Sequence, residues 1–105
     1  MSRIDLAEVA AIIDENIVQH FPRKERAVQQ VLCLAEEVGE FVAACRRAWG
    51  MARRPGPMAD VHAELADVVI TAYVTAHVLG IDLTDAISDK VDVIFTRGWK
   101  ERASG

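Results

Sequence analysis

Apolar residues recur along this chain at intervals of three and four, the period of an α-helix, and no segment alternates with the period of two that a strand needs. The stretch from Val61 to Ile81 stands apart. It holds only two acids, Glu64 and Asp67, and no Lys or Arg; the rest is mostly apolar or small, including Leu65, Val68, Val69, Ile70, Tyr73, Val74, Val78 and Leu79. At 100° per residue these positions cover most of a helical circumference, which predicts a helix buried on nearly all sides. Glu64 and Asp67, one turn apart, begin a narrow polar stripe that Thr71 and Thr75 continue.

Three further helices are expected around it. Ser2 is a candidate cap for a first helix through about His20, with Leu6, Val9, Ala10, Ile13 and Ile17 at helical spacing. Phe21-Pro22 breaks that helix, and Pro22 suits the start of the next. The second helix is predicted from about Arg23 to Trp49, with an apolar stripe of Val31, Leu34, Ala35, Val38, Phe41, Val42, Cys45 and Trp49. Gly50 ends it, and Met51 to Ala59, containing Pro55-Gly56-Pro57, is the one clear loop. Asp60 is the expected cap of the third helix and Gly80 its stop. Asp82 or Thr84 begins a last helix through Ile87, Val91, Ile94 and Phe95 to Arg97, with Gly98 as stop and a frayed tail after Trp99. The fold class expected is therefore all-α: one domain spanning 1–105, a bundle of about four helices.

Composition narrows the function. A single domain of 105 residues, half of them hydrophobic, buries a modest core. A net charge of −4 argues against a nucleic-acid surface, which needs clustered Lys and Arg. Asp5 and Glu8 interrupt the N-terminus before an apolar signal segment forms, and the apolar run Val68 to Ile81 is too short to span a bilayer. Cys33 and Cys45 fall about 18 Å apart on one helix, too far to bridge. Buried free thiols in a reducing cytoplasm are the expectation.

Carboxylates are seldom buried without a partner, because desolvating a lone charge costs several kcal/mol or shifts its pKa. The second helix supplies more of them: Glu36, Glu37 and Glu40, with Glu37 and Glu40 repeating the one-turn spacing of Glu64 and Asp67. Taken alone, Glu36, Glu37 and Glu40 read equally as a solvated face. Gly39 between two of them, and Ala43 and Ala44 beyond, make that side small enough for a helix to approach. If it approaches the Glu64–Asp67 face, four or five carboxylates converge, and they cannot all stay ionised without cations. Hard oxygen ligands select Mg2+ or Mn2+.

Glu36-Glu37-Val38-Gly39-Glu40, followed after twenty-three residues by Glu64-Leu65-Ala66-Asp67, resembles the EExxE…ExxD pattern of the MazG-like nucleotide pyrophosphohydrolases. Leu34-Ala35, Val68-Val69 and Gly80-Ile81-Asp82-Leu83 are also similar to that family, over roughly Leu32 to Arg97. The resemblance implies an all-α fold that oligomerises. It also implies cleavage of a nucleoside triphosphate between its α and β phosphates, giving monophosphate and pyrophosphate. By it, Glu37, Glu40, Glu64 and Asp67 look like metal ligands, with Glu36 a candidate for orienting or deprotonating the water alongside Glu37. Lys90 and Arg97, two turns apart, resemble the family's phosphate-binding basic residues. Ile94 stands where the family often has asparagine, which bears on the substrate pose. Nucleotide-pool housekeeping is the corresponding role.

Other residues carry less. Trp49 shares its wheel angle with Val31, Val38 and Val42 and is expected in the core. Arg47 lies on the acid face, where an ion pair with a nearby Glu is the ordinary role and a phosphate contact the functional one. His62 and His77 read as packed, hydrogen-bonded histidines, and His20 sits at the first helix break, where a pocket for a base could form with nothing else in the sequence to support it. Arg53 and Arg54 either guide phosphate or keep the loop solvated. Glu-x-x-His pairs of di-iron bundles are absent. The alternative function is a non-enzymatic helical regulatory or oligomerisation module with a vestigial acidic site. Finally, one chain supplies too few helices to cover the third, so a homodimer or homotetramer is expected, with Lys90 or Arg97 reaching the site of a neighbouring copy.

Overall fold

The computed structural model describes residues 3–20 and 25–104, with side chains described over 3–18 and 25–97. Four helices follow in order: α1 (Leu6–His20), α2 (Arg26–Ala48), α3 (Met58–Leu79) and α4 (Leu83–Ser104). Among the described residues there is no strand. The expected all-α class holds.

The helix ends differ from expectation in instructive ways. Asp5 caps α1, its Oδ1 accepting the backbone N–H groups of Ala7 and Glu8 at 3.0 and 3.2 Å, while Ser2, the expected cap, lies outside the described residues. Two orphan donors of the first turn are thereby satisfied. The Phe21-Pro22 break lies outside the described residues. At the start of α2, Glu25 adopts φ 60°, a left-handed conformation uncommon for a non-glycine residue. Pro57 precedes α3, so Asp60 sits inside the first turn instead of capping it. There its charge still complements the helix N-terminus. Gly80 closes α3 at φ 70°, where a side chain would be strained, and the N–H of Ile81 reaches the Ala76 carbonyl at 2.8 Å. Asp82 then caps α4 through the N–H of Asp85, at 3.0 Å. Gly98 does not stop α4, which continues to Ser104.

The helix α3 is central, packed against both α2 and α1, while α4 packs extensively on none of the others. The α2–α3 hairpin is antiparallel. Ala44 and Cys45 meet Val61 near the loop end, with Phe41 and Ala48 alongside. At the other end Gln30, only 3% exposed, donates from Nε2 to the Thr75 hydroxyl at 3.2 Å. Thr75 donates in turn to the Thr71 carbonyl at 2.7 Å. The Arg26 guanidinium on α2 meets Asp14 on α1 at 2.9 Å, and His77 Nε2 on α3 lies 3.6 Å from the same carboxylate. One acid thus ties three helices.

Much apolar surface stays outside. Val31, Leu32, Val38 and Val42 on α2 and Leu65, Val69 and Leu79 on α3 are exposed, and among the described residues no large side chain is fully buried. The expectation that α3 is covered on nearly all sides fails within a single chain. Trp49, expected in the core, is 65% exposed; it shares its wheel face with Val31, Val38 and Val42, and that face points outward. Cys33 is exposed too, whereas Cys45 is buried as expected. The helix α4 leaves α3 at 109°, with Ile87, Val91 and Phe95 uncovered. Among the described residues no single helix is long and apolar enough to cross a membrane.

Candidate active site

The antiparallel pairing that sets Gln30 on Thr75 and Ala44 by Val61 brings Glu37 and Glu40 opposite Glu64, midway between. Carboxylate oxygens of Glu37, Glu40 and Glu64 all lie within 4.8 Å of one another. Glu37 and Glu64 are half-buried and Glu40 is exposed, so the group opens to solvent on one side. Oε2 of Glu37 and Oε2 of Glu64 are buried and have no hydrogen-bond partner. A buried acceptor left unmet costs about 1–3 kcal/mol, and more for a charged one.

The electrostatics agree. Burial first, then the charges of Glu40, Asp67 and Glu64, raise the pKa of Glu37 above its ordinary value of 4.5. Like charges gathered with no cation disfavour ionisation. Among the described residues, no Lys or Arg forms an ion pair with any of these acids.

Not every expected residue joins the group. Asp67 is exposed and stands outside the tight cluster, though near enough for its charge to act on Glu37. Glu36 is exposed on the adjoining face of α2 and is not in the cluster. Lys90 and Arg97 lie exposed on α4, Arg97 beside Asp92, Val93 and Thr96 in a shallow surface pocket. Within one chain they are not gathered with the carboxylates. Gly39 has open space where a side chain would be, so it does not serve the α2–α3 approach; Ala44 does. Arg47 makes no ion pair among the described residues, contrary to its expected ordinary role. His62 is exposed, and the side chain of His20 lies outside those described.

The donor set fits a divalent cation. Three carboxylates converge, two of them with an orphaned oxygen, and hard oxygen ligands favour magnesium or manganese. Sequence reasoning found all three residues. It missed the polar layer of Gln30, Asp14 and Arg26, because a lone Gln or Asp at helical spacing gives no signal of its partner.

Glutamates of two consecutive helices meeting at one point, in an otherwise apolar all-α chain, place the protein with the all-α nucleoside triphosphate pyrophosphatases, the superfamily of the MazG-like enzymes. Within that superfamily, residues 6–92 match the model of phosphoribosyl-ATP pyrophosphohydrolase, and the chain belongs to that family. The MazG resemblance was thus right for the superfamily, and the family itself is a different branch of it. The class of enzyme is a pyrophosphohydrolase, which splits a phosphoric anhydride of a nucleotide-type substrate. The match includes α1, both acidic motifs and Lys90, and ends before Arg97. No curated protein and no solved structure matches the chain significantly.

Proposed function

We propose that this protein hydrolyses the triphosphate of a nucleotide between the α and β phosphates, releasing a nucleoside monophosphate and pyrophosphate, with Mg2+ or Mn2+ as cofactor. The observation that carries this reading is the pair of orphaned carboxylate oxygens, on Glu37 and Glu64, inside a three-glutamate cluster. A polyphosphate is itself an anion, so an acidic site accepts it only with cations between the two.

Glu37, Glu40 and Glu64 would hold the cation, with Asp67 at the margin completing the set as the site closes on substrate. When bound, the ion polarises the phosphate under attack and makes water a better nucleophile. The chain's own part is to orient that water and take its proton. Glu37, at the edge of the cluster that would hold the ion, is one candidate for the acceptor. Glu36, one position along and open to solvent, would orient the water or pass the proton on. The same bond is broken whether the triphosphate belongs to a free nucleotide, as in nucleotide-pool housekeeping, or to phosphoribosyl-ATP, the substrate in the family's name.

Assembly is part of the proposal. In a homodimer or larger homo-oligomer, α4 of one copy can lie on the exposed apolar face of the other, bringing Lys90 or Arg97 toward the neighbour's phosphates. The uncovered face of α2 and α3 supports this.

Pyrophosphate release should be measured with magnesium on phosphoribosyl-ATP and on the common ribo- and deoxyribonucleoside triphosphates. Turnover of at least one is expected, with Mn2+ substituting and Ca2+ supporting little. Calcium's longer bonds and looser geometry hold phosphate poorly for in-line attack. No release from any of them, with no thermal shift by divalent ions, would leave the non-enzymatic module as the reading.

A further inference from the structure

From Phe41 to Ala59 the chain has no Asp or Glu and four arginines, Arg46, Arg47, Arg53 and Arg54, although its net charge is −4. These residues form the end of the α2–α3 hairpin, just beyond the carboxylate cluster. Arg46 holds the loop. Its Nη2 donates to the Met51 carbonyl at 3.3 Å, and the Met51 N–H returns to the Arg46 carbonyl at 2.7 Å.

Arg47 is held differently. Its carbonyl accepts two loop N–H groups, from Gly50 and from Gly56, each at 3.3 Å. Its side chain lies across Gly56 so closely that a Cβ there would sit 3.0 Å from Arg47 Cβ and 3.4 Å from its Nε. The stem thus lies against the loop, and a side chain at position 56 would require one of the two to give by a few tenths of an ångström. Yet the guanidinium of Arg47, a half-buried residue, meets no carboxylate among the described residues. Arg47 follows Glu40 by seven residues, two turns and about 10 Å along almost the same line of the helix. Helical side chains lean toward the helix N-terminus, which for Arg47 is the direction of Glu40.

We propose that Arg47, set in place by Gly56, binds the terminal phosphates of the substrate, the part that departs as pyrophosphate. This rests on the pyrophosphohydrolase reading and adds a residue to it. Water attacks the α-phosphorus, the bond to the bridging oxygen breaks, and that oxygen leaves with its electron pair on pyrophosphate. Charge grows on the leaving group, away from the glutamates. A fixed, planar guanidinium is suited to it, because its paired donors match phosphate oxygens. Arg53 and Arg54, exposed on the same loop, raise the local positive potential that draws a polyanion to this end.

The test uses inorganic pyrophosphate with magnesium as probe, titrated calorimetrically into the full-length protein, beside steady-state kinetics on the triphosphate found to turn over. Arg47→Ala should weaken pyrophosphate binding and lower kcat/KM about ten- to a hundredfold, the worth of one charge-assisted hydrogen bond. It should leave inhibition by the monophosphate and the magnesium-induced thermal shift unchanged, which also shows that the variant is folded. Arg47→Lys should recover only part of the loss. Gly56→Ala should weaken pyrophosphate binding less than Arg47→Ala does, and add nothing to it in the double variant. Unaltered pyrophosphate binding by Arg47→Ala, or equal losses for pyrophosphate and monophosphate, would overturn the assignment. Arg47-dependent pyrophosphate binding without turnover of any triphosphate would instead overturn the pyrophosphohydrolase reading and leave the anion site standing.

Discussion

Glu64 brings a buried, partnerless oxygen to a cluster already crowded with charge, so its replacement separates the needs of the fold from those of the metal. Glu64→Gln is expected to remove magnesium-dependent turnover and the magnesium-induced thermal shift. The metal-free Tm should hold or rise, since one repulsive charge is gone and an amide N–H can face Glu37. Thermal scans with and without magnesium check both halves. Glu37 supplies a pH test. Its raised pKa means the native metal-free protein holds this proton more tightly than the unfolded chain does. The resulting stability is complete below the ordinary 4.5 and is lost as pH rises through the raised native value. Magnesium binding requires the ionised form, so the magnesium-induced gain in Tm should grow over the same rise in pH. In Glu37→Gln both trends should flatten. These acids were legible in the sequence because their residue types and one-turn spacings are rare on an apolar helix. Arg47 was legible only as a choice between an ion pair and a phosphate contact, because residue type and wheel position do not show whether a Glu comes within reach, and among the described residues it pairs with none.

At the scale of single elements, the helices were legible from periodicity and their ends only partly so. Capping depends on which oxygen reaches which N–H, and Ser2 and Asp5 are both suitable types; among the described residues Asp5 does it. Gly80 was legible because a left-handed helix stop strongly favours glycine. A Cβ built there meets nothing within 4 Å, so the cost of Gly80→Ala is backbone strain alone. A loss of about 1–2 kcal/mol is expected in chemical denaturation. Because this residue turns the chain into α4, a larger loss would mean that the direction of α4 itself matters to the folded protein.

The whole molecule is more open than its length requires. Its radius of gyration is 16.9 Å, against about 13 Å for a compact domain of this size. Glu37 and Glu64 are half-buried between α2 and α3 while Val31, Val38 and Val42 face out, the reverse of what a lone soluble bundle needs. Val28, Val31, Leu32 and Leu79 line a wholly apolar groove with Ala27, and Ile87, Val91 and Phe95 wait uncovered on α4. A second copy would bury both. Sedimentation at low micromolar concentration should therefore give at least a dimer, and Val31→Glu with Val42→Glu should shift it toward monomer and lower the Tm. A folded, active wild-type monomer would remove the shared-site arrangement. The apolar stripes were visible in the sequence, but periodicity shows only that a face is covered, not whether the same chain covers it. That is why Trp49 was expected inside.

The antiparallel register of the hairpin limits how its length can vary. Each step forward on α2 is matched by a step back on α3, from Gln30 and Thr75 through the glutamates to Ala44 and Val61. An insertion among loop residues 51–54 lies beyond every one of those pairs and leaves their alignment alone. A single residue inserted after Phe41 and before Ala44 keeps Glu40 opposite Glu64 only by turning the rest of α2 through 100°, taking Ala44 and Cys45 off Val61. If the core prevails instead, the glutamates rotate away from their partner. The interval between the two acidic motifs can thus lengthen at the hairpin tip, while within the helices it changes only by whole turns made on both sides at once.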